Sequence, residues 1–291
     1  MAQYQVKNNQ NIFDIAIQLY GSIEGIYDLL ISNEWLSMTT ELKGGMLLEY
    51  HDYYITNEGI QSQIADSGLI PANNERHVYY KTVDEALKLL IEVPVDSLKT
   101  EFSISGDGAM IIDWGDNSKI DVIPLSHIEK VICHYYDNEV DERMVKIYGN
   151  FNILHWDTSK SDGKIFTMSP VVVDEFTSTY NKGIIDGLAL FSGTTHLNLQ
   201  GMVIHDLSPI YNMYLQVLDL RNIRLDNIAI IDNYLENLVS NHGTRRDCTV
   251  YLSHVPSDVG MKSINTIINE DSWNESGKWV FNINGTIYTA Q

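Results

Sequence analysis

The side chains able to do acid–base or metal chemistry are numerous, but their spacing follows no catalytic or ligand array. Nine histidines lie at 51, 77, 127, 134, 155, 196, 205, 242 and 254. None falls in the H-E-x-x-H pattern that puts two imidazoles on one helix face for zinc. The sequence has no glycine-rich phosphate loop ending in lysine, no Gly-x-Ser-x-Gly elbow and no Gly-x-Gly-x-x-Gly turn after a strand. Cys133 and Cys248 stand apart, outside any Cys-x-x-Cys spacing, and predict two small semi-buried thiols and no disulfide framework. Carboxylates abound, yet a glycosidase pair is defined by a separation in space of ~5 to 9.5 Å, which a linear pattern does not carry. The acidic run Asp137-Asn-Glu-Val-Asp-Glu142 offers oxygens for a calcium ion. It lacks the alternating ligand order of a calcium loop and reads as a solvated turn. The chain is expected to be non-enzymatic, with no catalytic residue, no cofactor and no metal.

Composition narrows the class of partner. With 291 residues and 44% apolar content, the chain can build a core in each of ~2–3 small domains. Its net charge of −20 is a uniform acidic coat, negative in each of the segments 1–52, 53–95, 96–150 and 151–291. Nucleic-acid binding depends on Lys and Arg displacing counterions, and no basic stripe exists to do so. The first residues lack an apolar leader segment and no run of about 18 apolar residues occurs, so neither a signal peptide nor a membrane span is predicted. A soluble protein made in the cytoplasm is the expectation. Seventeen tyrosines and five tryptophans add packing or interface surface, with Trp35, Tyr53 and Tyr54 as interface candidates.

The elements that would position these groups follow from periodicity. Apolar residues at 12, 13, 16, 19 and 20 share one helical face, Asn11 can cap that helix, and Asp14 lies in its first turn. Ser22 can cap a second helix with Ile23, Ile26, Tyr27 and Leu30 on one face, ended by Asn33. Phe13, Ala16, Leu19, Ile26 and Leu30 are expected to be buried together. Strands at about Tyr4 to Val6 and Met46 to Glu49 complete a strand-helix-helix-strand unit. This unit, with its Tyr20-Gly21 turn, Asn33 and the Leu42-Lys-Gly-Gly turn, resembles a LysM module over residues 1–52. Sugar-binding LysM modules usually carry a Gly-Asp-Thr-like turn before helix one, where this chain has Lys7-Asn-Asn-Gln-Asn11. The resemblance implies a glycan or docking surface at Asn8, Asn9, Asn11, Asn33 and Trp35.

Residues 53–82 read as a connector with a short helix in which Ile60 and Ile64 share a face and Gly68 is the C-terminal cap. With Ile70 to Tyr80, the N-terminal region resembles that of phage and prophage tail proteins of gut Bacteroidetes. From residue 83 short β runs follow: Leu89 to Val93, Glu101 to Ser105, Ala109 to Trp114, Val131 to Tyr136 and Met144 to Tyr148. They predict a β-sandwich over 83–150. Asp113-Trp-Gly-Asp-Asn-Ser118 and His134-Tyr135 resemble the hallmark turn and later step of PKD-type immunoglobulin-like domains, and Asp113 and Asp116 are expected to accept hydrogen bonds from turn amides.

The part from 151 to 291 contains an internal repeat. Leu197-Asn-Leu199 with Met202, Ile204, Asp206 and Leu207 recurs as Leu218-Asp-Leu220 with Ile223, Leu225, Asn227 and Ile228, an offset of 21 residues. The pattern resembles a leucine-rich repeat, in which Leu-x-Leu is a short parallel strand completed by the next repeat. It predicts Leu197 beside Leu218 and Leu199 beside Leu220. Tyr148 to Trp156, Gly187 to Phe191, Leu235 to Val239 and Thr249 to Leu252 are expected as flanking strands, and Trp273 to Tyr288 as a closing hairpin.

The expected fold class is thus α+β and multidomain: a small LysM-like unit, a PKD-like β-sandwich and a short leucine-rich-repeat-like β solenoid. The resemblances imply a virion structural protein of a phage or phage-like tail, in or beside the baseplate. Such a protein is made in the host cytoplasm and contacts other tail proteins and copies of itself. A LysM-type adhesin binding peptidoglycan or another cell-wall glycan is the alternative, and a carbohydrate-active enzyme ranks third.

Overall fold

The first helix, α1 (Ile12–Tyr20), begins where the Asn11 side chain accepts the Asp14 amide and Asp14 accepts the Asn11 amide in return, a capping box that satisfies two otherwise orphaned donors. It ends at Gly21, whose φ of 72° is the left-handed conformation that glycine adopts freely. These features come from a computed structural model that describes residues 2–72, 81–116, 118–136, 143–180, 182–241 and 247–290. Helix α2 (Ile26–Ser32) follows, and strand β1 (Ala2–Gln5) pairs antiparallel with β2 (Leu47–Tyr50). Helix α3 (Glu58–Ser67) is capped by Asn57 and closed by Gly68.

The buried face of α1 is Ile12, Ile15, Ala16 and Tyr20, and it packs with Val6, Ile26, Leu29, Leu36, Leu42 and Leu48 in a core of its own. The expected face is corrected here. Phe13 lies about 100° around the helix from Ile12 and is 42% exposed, while Leu19 and Leu30 are only partly buried. Ile23 and Tyr27 also point outward.

The remainder is built on a mixed sheet of 14 strands among the described residues. Its first part contains β3 (Leu87–Val93), β4 (Lys99–Asp113), β5 (Asp121–Pro124), β6 (Lys130–Tyr135) and β7 (Arg143–Tyr148). Next come β8 (Phe151–Asp157), β9 (Lys164–Thr167), β10 (Val171–Thr177), β11 (Phe191–Ser192) and β12 (His196–Asn198). After β13 (Val203–Ile204), which pairs with β15 (Arg224–Leu225) apart from that sheet, lie β14 (Val217–Leu220), helix α4 (Ala229–Ser240), β16 (Cys248–Leu252), helix α5 (Asp258–Asn269), β17 (Trp279–Ile283) and β18 (Thr286–Thr289). The chain is therefore a mixed α and β protein with five α-helices and a large mixed sheet among the described residues.

Strand β4 joins the two halves of that sheet. It pairs with β8 over Ser103 to Gly108 and with β7 over Ile111 to Asp113, so the two runs expected on either side of Gly106 form one strand. Gly108 has φ of 89°, and a Cβ there would stand 2.3 Å from the Asn150 carbonyl oxygen, so the hand-over between partners requires glycine. The sheet and its core run without a break through residue 150, where the sequence places a boundary. Phe102, Trp156, Phe176 and Phe191 carry aromatic contacts across it, with ring centroids 6.2, 5.3 and 5.3 Å apart in succession.

Beyond β8 the strands β10, β12, β14, β16 and β17 are parallel neighbours. Leu197 is in register with Leu218, as the repeat predicts. The segment Leu235 to Val239, expected as a strand, lies inside α4, because Ile230, Ile231, Tyr234, Leu235 and Leu238 recur with helical period and are buried. Gly187 to Leu190 is a 3-10 turn that leads into β11. The closing hairpin is β17 with β18, turning through Asn284-Gly285, whereas Trp273 ends a separate 3-10 turn.

Candidate functional site

A buried, hydrogen-bonded cluster of ionisable groups lies at the Trp-Gly-Asp turn after β4. Asp113 accepts the Gly115 amide at 3.1 Å and Asp116 accepts the Ser118 amide at 2.9 Å, as expected of carboxylates in tight turns. Lys81 pairs with Asp113. The second oxygen of Asp116 meets Nε2 of His134 at 2.8 Å, and the His134 ring stacks on Trp114 with centroids 4.4 Å apart and planes 3° from parallel. Burial pushes the His134 imidazole below its ordinary value, only partly offset by Asp116. Burial works against the Asp116 carboxylate, but His134 and the two Ser118 donors outweigh it and hold that group far below the usual carboxylate range. The carboxylate assigns the ring proton to Nε2.

Ser118, His134 and Asp116 have the residue types of a serine triad but the wrong connectivity. In a triad the acid holds one ring nitrogen while the serine addresses the other. Here the Ser118 hydroxyl lies 3.5 Å from the same Nε2 that Asp116 occupies, and it donates to Asp116. The cluster therefore fixes a turn and leaves Ser118 without a base. A depression of about 140 Å³ adjoins it, lined by Glu41 and Lys43 of the N-terminal unit and by Ser118, Lys119, Asp121 and His134.

A broader polar surface covers the outward face of the parallel strands. Register places His155, Glu175 and His196 side by side on β8, β10 and β12, and Asp157, Thr177, Asn198, Asp219 and Tyr251 in a second row. His155 Nδ1 lies 3.2 Å from one Glu175 oxygen, and His196 Nδ1 lies 3.8 Å from the other. The Thr195 hydroxyl holds His196 Nδ1 at 2.8 Å and bonds Asp174 in turn. Asp219 accepts from Gln200 at 2.8 Å and from Arg221, whose guanidinium sits 4.9 Å from the Tyr251 ring centroid. A depression of about 150 Å³ lies over His155, Glu175, Thr177, His196, Asn198 and Asp219. These side chains are mostly half-buried and orient one another, which makes a pre-organised polar platform suited to recognising a polar partner. Sequence reasoning missed this surface, although one signal was available: the middle residue of each Leu-x-Leu must face outward, which marks Asn198 and Asp219.

The N-terminal candidates Asn8, Asn9, Asn11, Asn33 and Trp35 have different surroundings. Asn11 is consumed by the α1 cap. Asn33 is 5% exposed, and its amide donates to the Leu29 and Glu49 carbonyls while its oxygen accepts the Glu49 amide, which clamps α2 to β2. Asn9 occupies a left-handed turn position with φ of 58°. Asn8 lines a cleft with Gln5, Val6, Lys7, Ile70 and Leu98. Trp35 is 54% exposed.

The acidic run 137–142 lies outside the described residues. Among the described residues, no group of three or more His, Cys, Asp or Glu side chains is arranged to hold a metal ion. No helix of the described residues is long and apolar enough to cross a membrane. The chain matches no known family model, no curated protein and no solved structure.

Proposed function

We propose that the chain is a non-enzymatic structural component of a phage or phage-like tail, in or beside the baseplate. In this reading the LysM-like N-terminal unit anchors it, and the PKD-like and leucine-rich-repeat-like β parts act as spacer and interaction surface. The observation that carries the reading is an apolar face on the anchor. Tyr27 and Ile31, one turn apart on α2, are 64% and 78% exposed, with exposed Ile23 before them and Trp35 after. A small domain that leaves such a face to water is built to cover it against another protein. The separate core of residues 6–48 supports an anchor that folds as its own unit, and the polar platform of the parallel sheet supports recognition at the other end. The partners are other tail or baseplate proteins and further copies of the chain, and the place of residence is the virion.

Incorporation into particles tests this directly. Residues 1–82 alone should enter particles, as judged by mass spectrometry of purified virions, whereas residues 83–291 alone should not. Ile31→Asp should reduce incorporation of the full chain. Entry of the C-terminal piece by itself would reverse the polarity and remove the anchoring role. The alternative, a peptidoglycan- or glycan-binding surface adhesin, draws on the exposed Trp35 indole, since aromatic rings serve as amphipathic contact surfaces. Retention on peptidoglycan or chitin that Trp35→Ala abolishes would replace the tail reading.

A further inference from the structure

The 14-stranded sheet ends on one side at β18, which pairs with β17 alone. Its hairpin turns through Asn284 and Gly285 at φ of 50° and 86°, the both-positive pair of a tight two-residue turn. In such a hairpin Ile283 and Thr286 exchange hydrogen bonds, and pairing alternates from there. Thr286 and Tyr288 therefore turn their backbone groups toward β17, and Ile287 and Thr289 turn theirs toward the open edge. Natural edges are commonly guarded by charge, proline or bulges. Three other edge strands carry such guards: Asp121 and Pro124 in β5, Lys130 in β6 and Lys164 in β9. Strand β18, Thr-Ile-Tyr-Thr, has none. No charged residue occurs from Trp279 to Gln291, in a chain whose net charge is −20.

We propose that β18 is a self-association edge, at which β18 of a second copy of this chain adds antiparallel about a two-fold axis. The free groups dictate the register. Pairing Ile287 with Thr289 of the second copy, and Thr289 with its Ile287, matches all four outward donors and all four acceptors. This places the two copies of Tyr288 opposite each other at the axis, in a pair without mutual backbone hydrogen bonds. Such a contact is isologous, and one patch serves both copies. Ile opposite Thr and Tyr opposite Tyr are favourable cross-strand neighbours on a pleated surface. The charge-free strand brings no like charges face to face, which a −20 chain would meet almost anywhere else on its surface. An unrelated extended segment could satisfy the same backbone groups, but the self-complementary register and the missing charge favour a copy of the strand itself.

Sedimentation over a concentration series tests the proposal on the full chain. The wild type should move from 33.1 kDa toward twice that mass as concentration rises. Ile287→Pro removes the outward amide and leaves the hydrogen bonds of Thr286 and Tyr288 to β17 in place. Because the change acts once in each copy, association should weaken about tenfold or more. Ile287→Lys, at a position 63% exposed, should do the same by charge, and it stands in if the proline variant folds poorly. In a Cys133→Ser background, Tyr288→Cys should form a cross-linked dimer under mild oxidation, which fixes the register. Three results would overturn the proposal: a wild type that stays monomeric at the highest concentration reached, dimers unaffected by both Ile287 variants, or dimers abolished by Ile31→Asp on α2 but not at β18. Whether residues 1–82 alone enter particles is decided by none of these results, so the two readings fail separately.

Discussion

The Asp116 carboxylate grips Nε2 of His134 at 2.8 Å beneath the stacked indole of Trp114, and this contact ties the turn after β4 to β6. Both groups have folded-state values below their ordinary ones. The unfolded chain therefore binds more protons in each window, and stability rises with pH there. The His134 contribution should be complete above the ordinary imidazole value of 6.5 and be lost as pH falls below it. The Asp116 contribution follows below 3.8. Thermal melts from pH 8 downward should show a declining Tm from about pH 6.5. In His134→Gln the slope between pH 6.5 and 5 should flatten, and an unchanged slope would assign the effect to other groups.

The corrected face of α1 gives a contrast within one helix. Ile15 is fully buried and Phe13 is 42% exposed. Ile15→Ala should cost about 2–5 kcal/mol in denaturant unfolding, whereas Phe13→Ala should cost well under about 1 kcal/mol. Equal losses would restore the face first expected from the sequence.

How much was legible follows from such cases. The cap at Asn11, the turn at Gly21, the helix with Ile60 and Ile64, the pairing of Leu197 with Leu218 and the closing hairpin all rest on local signals within a few residues or on a repeat. Phe13 falls outside the local signal because an apolar residue beside Ile12 widens the helical stripe in the sequence without facing the core. Leu235 to Val239 reads as a strand in isolation because a short apolar run carries no period of its own; Ile230 and Tyr234 supply it. The junction at residue 150 and the His155, Glu175 and His196 row depend on which strands become neighbours. Long-range pairing leaves no trace in local spacing.

Gly108 should be intolerant of a side chain. Its φ of 89° and the 2.3 Å approach of an added Cβ to the Asn150 oxygen oppose even alanine, with no flexible side chain to move aside. Gly108→Ala should destabilise by more than about 1 kcal/mol, with lowered denaturation midpoint and unchanged m-value. A neutral result would show that β4 can hand over between β8 and β7 through another backbone path.

The aromatic contacts that cross residue 150 predict how the larger part of the chain unfolds. Phe102 on β4 touches Trp156 on β8, Trp156 touches Phe176 on β10, and β4 is hydrogen-bonded to both halves of the sheet. A chain cut at this point would expose the β4 and β8 edges and part of one continuous core, so neither piece has a complete set of partners. Residues 83–291 should therefore melt in one cooperative calorimetric transition, with equal calorimetric and van't Hoff enthalpies. Residues 83–150 and 151–291 made separately should lack sharp unfolding transitions. Trp156→Ala should lower the single transition as a whole, by about 3–5 kcal/mol, without splitting it. Two resolved transitions within 83–291, with Trp156→Ala moving only one of them, would mean that the two β regions fold as independent bodies despite the shared sheet.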